Sequence, residues 1–395
     1  MLSGKNVVLG VTGGIAAYKA VELVRLLTKA GANVDVIMTK NAARFVGPIT
    51  FQTLAGNPVH IETFKLLDTS DISHTTLADK ADLLIVAPAT ANVIGKYAGG
   101  IADDLLTTTL LATPAPVLLA PAMNPKMWAH PALVQNMKTL EGRGVAHLGP
   151  EPGEVACKDV GYGRMSEPQA ILETALSLLT EPKLKGKKIV ISAGPTREPI
   201  DPVRFLSNRS SGKMGYALAR AAHLMGAEVT LISGPSHLPA PVGVQRINVE
   251  TAAGMREAVK ATFQNTDVLI MAAAVADFRP ADPVEEKLPK DKLADAIPLA
   301  RNADIVAEMA QEKGDRLVVG FAAETGDADA KAVAKMKRKG LDVIVANDVA
   351  APGIGFDTDE NEVHVIFADG RIESLPRTTK DELAFSILAM IFGEC

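Results

Sequence analysis

Cysteine is almost missing from this chain of 395 residues: only Cys157 and Cys395 occur, which excludes a disulfide framework. Aromatic residues are scarce, 4% with a single tryptophan, and no block of lysine and arginine is interleaved with them. A net charge of −5 supplies no general pull on polyphosphate backbones, so nucleic acid is not expected as a partner. Long apolar runs are also absent. Leu83–Ala87 and Val117–Ala120 are of strand length, far below the ~20 residues of a membrane span. Residues 1–20 carry no charged leader and no cleavage site, so no membrane partner is expected and the expected location is cytoplasmic. The seven histidines show no zinc spacing. What is present is ample apolar content, 47%, and a length two to three times the usual domain of ~100–200 residues, which points to two domains.

The order of apolar runs and turns gives the fold class. Asn6–Gly10 reads as a strand, Thr12-Gly13-Gly14 as a turn, Ile15–Ala30 as a helix capped by Gly31, and Asn33–Met38 as the next strand. A strand–helix–strand unit of this kind seeds a doubly wound α/β sheet. Leu83–Ala87 and Val117–Ala120 are apolar throughout, as central parallel strands are. Polar residues 180–186 then break the pattern and the opening plan recurs: strand Lys188–Ser192, a long turn, a helix over Gly215–Met225, a Gly226 cap and strand Glu228–Ile232. Strands are predicted at Val268–Ala273, Leu317–Phe321 and Asp342–Ala346, a hairpin at Val363–Ala368 and Arg371–Leu375, and a last helix over Lys380–Phe392. The expectation is two doubly wound, mainly parallel-sheet, Rossmann-like α/β domains in tandem, 1–182 and 183–395. Shared architecture does not imply shared chemistry, because the turns that would hold ligands differ.

In such sheets ligands collect beyond the carboxyl ends of the strands. In the first domain that places Gly13, Gly14 and Ile15, Thr39, Thr90 to Asn92, and Ala122 to Asn124 together. Glycines at a strand-to-helix turn let backbone N–H groups approach a phosphate, although a Gly-Gly pair alone reads equally as a tight turn. The combination of GVTGGIAAYK (10–19), APATANVIGK (87–96), GIADDLLT (100–107) and PAMNPKMW (121–128) resembles the flavin-containing cysteine decarboxylases over most of residues 5–175. The resemblance implies that Gly13, Gly14, Ile15, Thr39, Thr90, Ala91, Asn92 and Ala122 hold FMN, and that Asn124 grips the substrate carboxylate. It also implies that His74 is a catalytic histidine and that Cys157 is the proton donor. Cys157 lies in the glycine- and proline-rich stretch 149–168, which reads as a mobile flap. The chemistry implied is oxidation of the thiol-bearing carbon by the flavin, so that CO2 leaves a delocalised enethiolate instead of a bare carbanion.

In the second domain the first turn is AGPTREPIDPVR (193–204), followed by SNRSSGKMG (207–215). The Ser-Ser-Gly-Lys before a helix lacks the earlier glycine and the following Ser or Thr of a Walker loop; it remains a donor-rich helix start. Lys331, Lys335 and Lys339 share one helix face, which by itself reads as a solvated stripe. Together with Ala272–Phe278, Glu286–Lys290, Asn302–Val306 and Gly320–Thr325, these motifs resemble phosphopantothenate–cysteine ligases over residues 186–380. The whole chain thus resembles the bifunctional synthetase/decarboxylase family of coenzyme A biosynthesis. The resemblance implies that Ala273, Asp277, Lys287, Ala303, Asp304, Ile305, Val306, Phe321, Lys335 and Lys339 bind CTP, with Asn208 and Lys287 catalytic and Mg2+ accompanying the nucleotide; no residue is assigned as a metal ligand. This chain reads Lys287-Leu288-Pro289-Lys290 where the family has Lys-x-Lys-Lys; Pro289 removes one cation, so phosphate contacts from that flap are expected to be weaker or rearranged, and Ala303 stands where proline is usual. The implied substrates are 4'-phosphopantothenate, cysteine and CTP. Trimeric decarboxylase and dimeric ligase contacts would make a homo-oligomer, a dodecamer. Two other classes compete. A binding or regulatory flavoprotein is disfavoured by the presence of His74, Asn124 and Cys157, and a nicotinamide dehydrogenase by the lack of G-x-G-x-x-G in either half.

Overall fold

The computed structural model describes residues 2–62, 73–287, 296–324, 328–348 and 358–393. The chain separates into two compact units, Met1–Thr180 and Glu181–Cys395.

The first unit runs β1 (Asn6–Val11), α1 (Ala17–Lys29), β2 (Asn33–Met38), α2 (Pro48–Ala55), β3 (Val59–His60), α3 (Ser73–Lys80), β4 (Leu83–Ala89) and α4 (Ala91–Gly99). It continues with α5 (Leu105–Ala112), β5 (Val117–Pro121), α6 (Pro125–Trp128), α7 (Pro131–Gly142), β6 (Ala146–His147), β7 (Glu151–Glu154), β8 (Val160–Arg164) and α8 (Pro168–Leu179). Six strands form one sheet in the order β3-β2-β1-β4-β5-β6, and every pairing is parallel. β4 is buried along its whole length, so its side chains must be apolar on both faces. α1 buries Ala17, Ala20, Leu23, Val24 and Leu27, one helical stripe.

The second unit runs β9 (Lys188–Ala193), β10 (Arg197–Pro199), β11 (Phe205–Ser207), α9 (Lys213–Leu224), β12 (Glu228–Ser233), β13 (Gln245–Asn248), α10 (Ala252–Phe263) and β14 (Val268–Met271). Then come β15 (Phe278–Pro280), β16 (Leu299–Arg301), α11 (Ile305–Gln311), β17 (Leu317–Glu324), α12 (Ala328–Lys339), β18 (Val343–Asp348), β19 (Glu360–Phe367), β20 (Ile372–Thr379) and α13 (Lys380–Ile391). The main sheet has the order β13-β12-β9-β14-β17-β18-β19-β20. It is parallel from β13 to β18 and antiparallel over the last hairpin. One core lies between the sheet and α9 with α13, the other between the sheet and α10, α11 and α12. Both units are therefore doubly wound α/β sheets.

The repeated opening has a common physical cause. After α1 the N–H of Gly31 bonds to Thr28 O and that of Ala32 to Leu27 O; after α9 the N–H of Gly226 bonds to His223 O and that of Ala227 to Ala222 O. Both glycines are left-handed, at φ +95° and +91°, which is the Schellman stop that only glycine enters without strain.

Several elements differ from the sequence reading. α1 begins at Ala17, two residues later than predicted, because Gly14 O accepts from Ala17 N in a turn and leaves Gly13-Gly14-Ile15 outside the helix. Within the stretch 149–168, read from the sequence as a mobile flap, β7 and β8 pair as an antiparallel ribbon. Its glycines serve close packing: a Cβ on Gly163 would lie 2.3 Å from Met123 O. The short ribbons β10–β11 and β15–β16 and the edge strand β13 escaped prediction; at three or four residues each they are too short for a period to register.

Candidate active sites

In the first unit, a cavity of about 1110 Å3 opens at the carboxyl ends of β1, β2, β4 and β5. β1 pairs with β2 on one side and β4 on the other, so this is the point where strand order reverses and a crevice forms. Thr12 fastens it: its hydroxyl donates to Pro88 O at 2.6 Å, and Thr90 N donates back to Thr12 Oγ1 at 3.2 Å. Thr39, at the end of β2, accepts from Ala42 N at 3.2 Å and turns the chain into the cavity wall. Gly13, Gly14, Ile15, Thr39, Thr90, Ala91, Asn92, Ala122, Asn124 and Cys157 all line this space.

Asn124 caps α6 by accepting from Lys126 N at 2.8 Å, which leaves its amino group to face the flap. That group donates to Cys157 Sγ at 3.1 Å and to Asp159 Oδ2 at 2.6 Å. The hydrogen bond from Asn124, helped by the charge of Lys126, holds the Asp159 carboxyl below the usual carboxylate range. Cys157 is exposed. His74 does not line the cavity. It is half-buried in the first turn of α3, with Nδ1 buried and without a hydrogen-bond partner. Lys96, on α4, also lines the cavity and bonds Asp103 at 2.6 Å, an interaction that raises its pKa above the ordinary lysine value.

In the second unit, a cavity of about 660 Å3 is walled by residues 208–215, 271–278 and 301–306, β17 and α12. It is lined by Asn208, Ala273, Asp277, Ala303, Asp304, Ile305, Val306, Phe321, Lys335 and Lys339. Asn208 donates to Ala274 O at 3.1 Å and Val275 O at 3.2 Å, joining the first turn to the loop after β14. Asp304 caps α11 and pairs with Lys339 at 2.8 Å. Lys335 stands 3.9 Å from Glu324; burial, and then the charge of Lys339, push its pKa below the ordinary lysine value. A Cβ on Gly215 would meet Ala193 Cβ at 2.5 Å, so this glycine lets the start of α9 press against β9. Lys287 is exposed and absent from the cavity wall; Leu288, Pro289 and Lys290, like Thr325, lie outside the described residues. Sequence reasoning missed Asn347, Asn361 and Lys380, which also line this space. Asn361 and Lys380 are buried polar residues, and nothing in their local pattern separates them from outward-facing ones.

Among the described residues, no group of three or more acidic, histidine or cysteine side chains could hold a metal, and no helix is long and apolar enough to cross a membrane.

Two family models match: "Flavoprotein" over residues 1–180 and "DNA/pantothenate metabolism flavoprotein C-terminal domain" over residues 184–393. The coenzyme A biosynthesis bifunctional protein CoaBC of Bacillus subtilis is 51% identical over 99% of this chain and 97% of its own length. The protein of the same name from Escherichia coli K12 is 46% identical over 98% and 96%. A solved C-terminal domain of a protein of that name overlays 54% of this chain and 97% of its own at 43% identity and a TM-score of 0.47.

Proposed function

The chain belongs to the family of bifunctional coenzyme A biosynthesis proteins, enzymes with phosphopantothenoylcysteine decarboxylase and phosphopantothenate–cysteine ligase activities, and we propose that each unit carries one of its two reactions. The second unit, residues 183–395, joins cysteine to 4'-phosphopantothenate at the expense of CTP. The first, residues 1–182, decarboxylates the product to 4'-phosphopantetheine with FMN. Both reactions belong in the cytoplasm, and the working form is a homo-oligomer, a dodecamer on family grounds.

The observation that carries this reading is the meeting of Asn124 and Cys157, an amide donor and a thiol 3.1 Å apart, on the wall of a cavity at the sheet's reversal point. The same wall fits a flavin phosphate and ring. Gly13 offers a space that a side chain would close against Asn41, and the turn after β1 and the start of α4 present backbone N–H groups. Gly13, Gly14, Ile15, Thr39, Thr90, Ala91, Asn92 and Ala122 would hold the group. When bound, the flavin would supply two-electron chemistry at the thiol-bearing carbon. Asn124 would bind the carboxylate that leaves as CO2, and Cys157 would give its proton to the carbon left behind. His74, although off the cavity wall, would be the second catalytic group of this reaction.

In the second unit a carboxylate must be activated, because an oxide-like oxygen is a poor leaving group. Nucleotidyl transfer makes an acyl-cytidylate that the amine of cysteine can attack. Lys335 and Lys339 would neutralise the departing pyrophosphate together with nucleotide-borne Mg2+. Residues 303–306 with Ala273, Asp277 and Phe321 would seat the nucleotide. Asn208, bonded to the loop after β14, would orient the carboxylate, and Lys287 would close over it from its exposed position.

The test uses the purified full chain. It is expected to be yellow, to release pyrophosphate from CTP only when cysteine and 4'-phosphopantothenate are both present, and to yield 4'-phosphopantetheine and CO2. Folded protein that releases no pyrophosphate overturns the ligase half. Folded protein that is colourless and cannot be reconstituted with FMN overturns the decarboxylase half.

A further inference from the structure

Lys158 is the only residue other than glycine with a left-handed backbone among those described, at φ +65°. Such a conformation costs energy and persists where the surroundings impose it. Here it sits in the turn joining β7 to β8, closed by Lys158 N donating to Val155 O at 2.8 Å and Val155 N to Asp159 O at 3.0 Å. Its effect is to place the side chains on either side of it, Cys157 and Asp159, toward the same point. That point is the amino group of Asn124, which donates to both. The thiol in turn donates to Asp159 Oδ2 at 3.6 Å, and Lys126 approaches the same carboxylate oxygen at 3.7 Å.

We infer that Asp159 is a positioning residue of the decarboxylating site, whose carboxylate fixes the Asn124 amide and holds the Cys157 thiol by its hydrogen. The inference rests on the roles proposed for Asn124 and Cys157. The geometry gives its reason. An amide can rotate by half a turn and offer its oxygen in place of its amino group, and a carboxylate accepts but never donates. Lys126 N holds the amide oxygen on one side, and an anionic acceptor on the other fixes the amino group toward the flap, the orientation that a substrate carboxylate needs. The same oxygen of Asp159 accepts the thiol's hydrogen and so holds Cys157 at one place on the cavity wall, ready for transfer to carbon.

Two variants of the full-length holoenzyme separate this from a merely structural role. Asp159→Asn keeps the shape and an acceptor oxygen but removes the charge; Asp159→Ala removes both. Alkylation of Cys157 by iodoacetamide at neutral pH, followed on its own peptide by mass spectrometry, needs no substrate and no turnover. It is expected to run at least ~3-fold faster in Asp159→Asn than in the parent, because the charge-assisted hydrogen bond that holds the thiol is weakened and Sγ is freer to meet the reagent. Formation of 4'-phosphopantetheine is expected to fall ~10-fold or more in Asp159→Ala, mainly in kcat, with the Asn variant retaining more than the Ala variant. Pyrophosphate release by the other unit should not change. Unaltered alkylation in Asp159→Asn, with turnover in Asp159→Ala within about twofold of the parent, overturns the inference. If the parent itself forms no 4'-phosphopantetheine, the proposed reaction fails, while the alkylation result still decides whether Asp159 governs the thiol.

Discussion

Gly13 and Asn41 stand so close that a Cβ on the glycine would lie 2.4 Å from the Cβ of the asparagine. The second atom is bound directly to the backbone and cannot swing aside, so relief would require the turn after β1 or the one after β2 to move. Both turns line the first cavity. Gly13→Ala is expected to weaken FMN binding by ~10-fold or more, roughly 1.4 kcal/mol, as read by fluorescence titration of the apoprotein. An unchanged affinity would mean that this turn does not face the cofactor.

Cys157 is exposed in the β7–β8 turn and packs into no core, so its substitution should leave folding intact. Cys157→Ser is expected to cut 4'-phosphopantetheine formation by ~100-fold or more, the usual loss when a general acid is removed, while ligation of cysteine continues. Quantifying both products in one reaction mixture checks this. Loss of both in folded protein would mean that the two reactions are not separable by unit.

Lys335 carries a pKa below the ordinary lysine value because it is half-buried and because Lys339 is near. It therefore loses its charge at a lower pH than an exposed lysine does, and kcat/KM for the nucleotide should fall as pH rises on the alkaline side. Lys335→Arg, whose guanidinium stays charged beyond pH ~12, is expected to move that fall to higher pH. Lys335→Gln should lower kcat/KM by ~10–100-fold near neutrality. A pH–rate profile of pyrophosphate release reads both, and identical alkaline limbs in parent and Arg variant would contradict the assignment.

Glu308 on α11 accepts two hydrogen bonds of 2.6 Å from Arg256 on α10 and pairs with Lys260 at 2.5 Å. Arg256 first, and Lys260 after it, lower its pKa from 4.5 to about 2. A carboxyl depressed on folding contributes stability above its unfolded pKa and loses that contribution as pH falls through the folded one. Glu308→Gln should therefore melt about 1–4 °C lower at pH 7, the scale of a partly exposed ion pair. That gap should narrow as pH falls from 4.5 toward 2. Equal gaps at neutral and strongly acid pH would show that the clamp does not act through charge.

Much of the architecture was legible because its causes are local. A buried parallel strand must be apolar at every position, as β4 is, and a Schellman stop needs glycine at one defined step, as at Gly31 and Gly226. The segments that line the first cavity could be located for the same reason: the turns after β1, β2, β4 and β5 must share one edge once the strands are parallel. Short ribbons were not legible, since three residues give no period.

What the amino-acid order determined by itself was therefore the pair of sheets, the glycine stops and the turns that gather at each sheet's carboxyl edge. Only the tertiary structure decided which side chains touch. Asn124 reaches Asp159 across 35 positions of sequence, Lys339 reaches Asp304 across the same interval, and His74 and Lys287 stay off the cavity walls. Helix and turn signals act within a few residues, whereas such meetings depend on strand register and on how closely loops cross, as where Gly163 passes beneath Met123. Those distances are set by packing of the whole unit, and no window of sequence contains them.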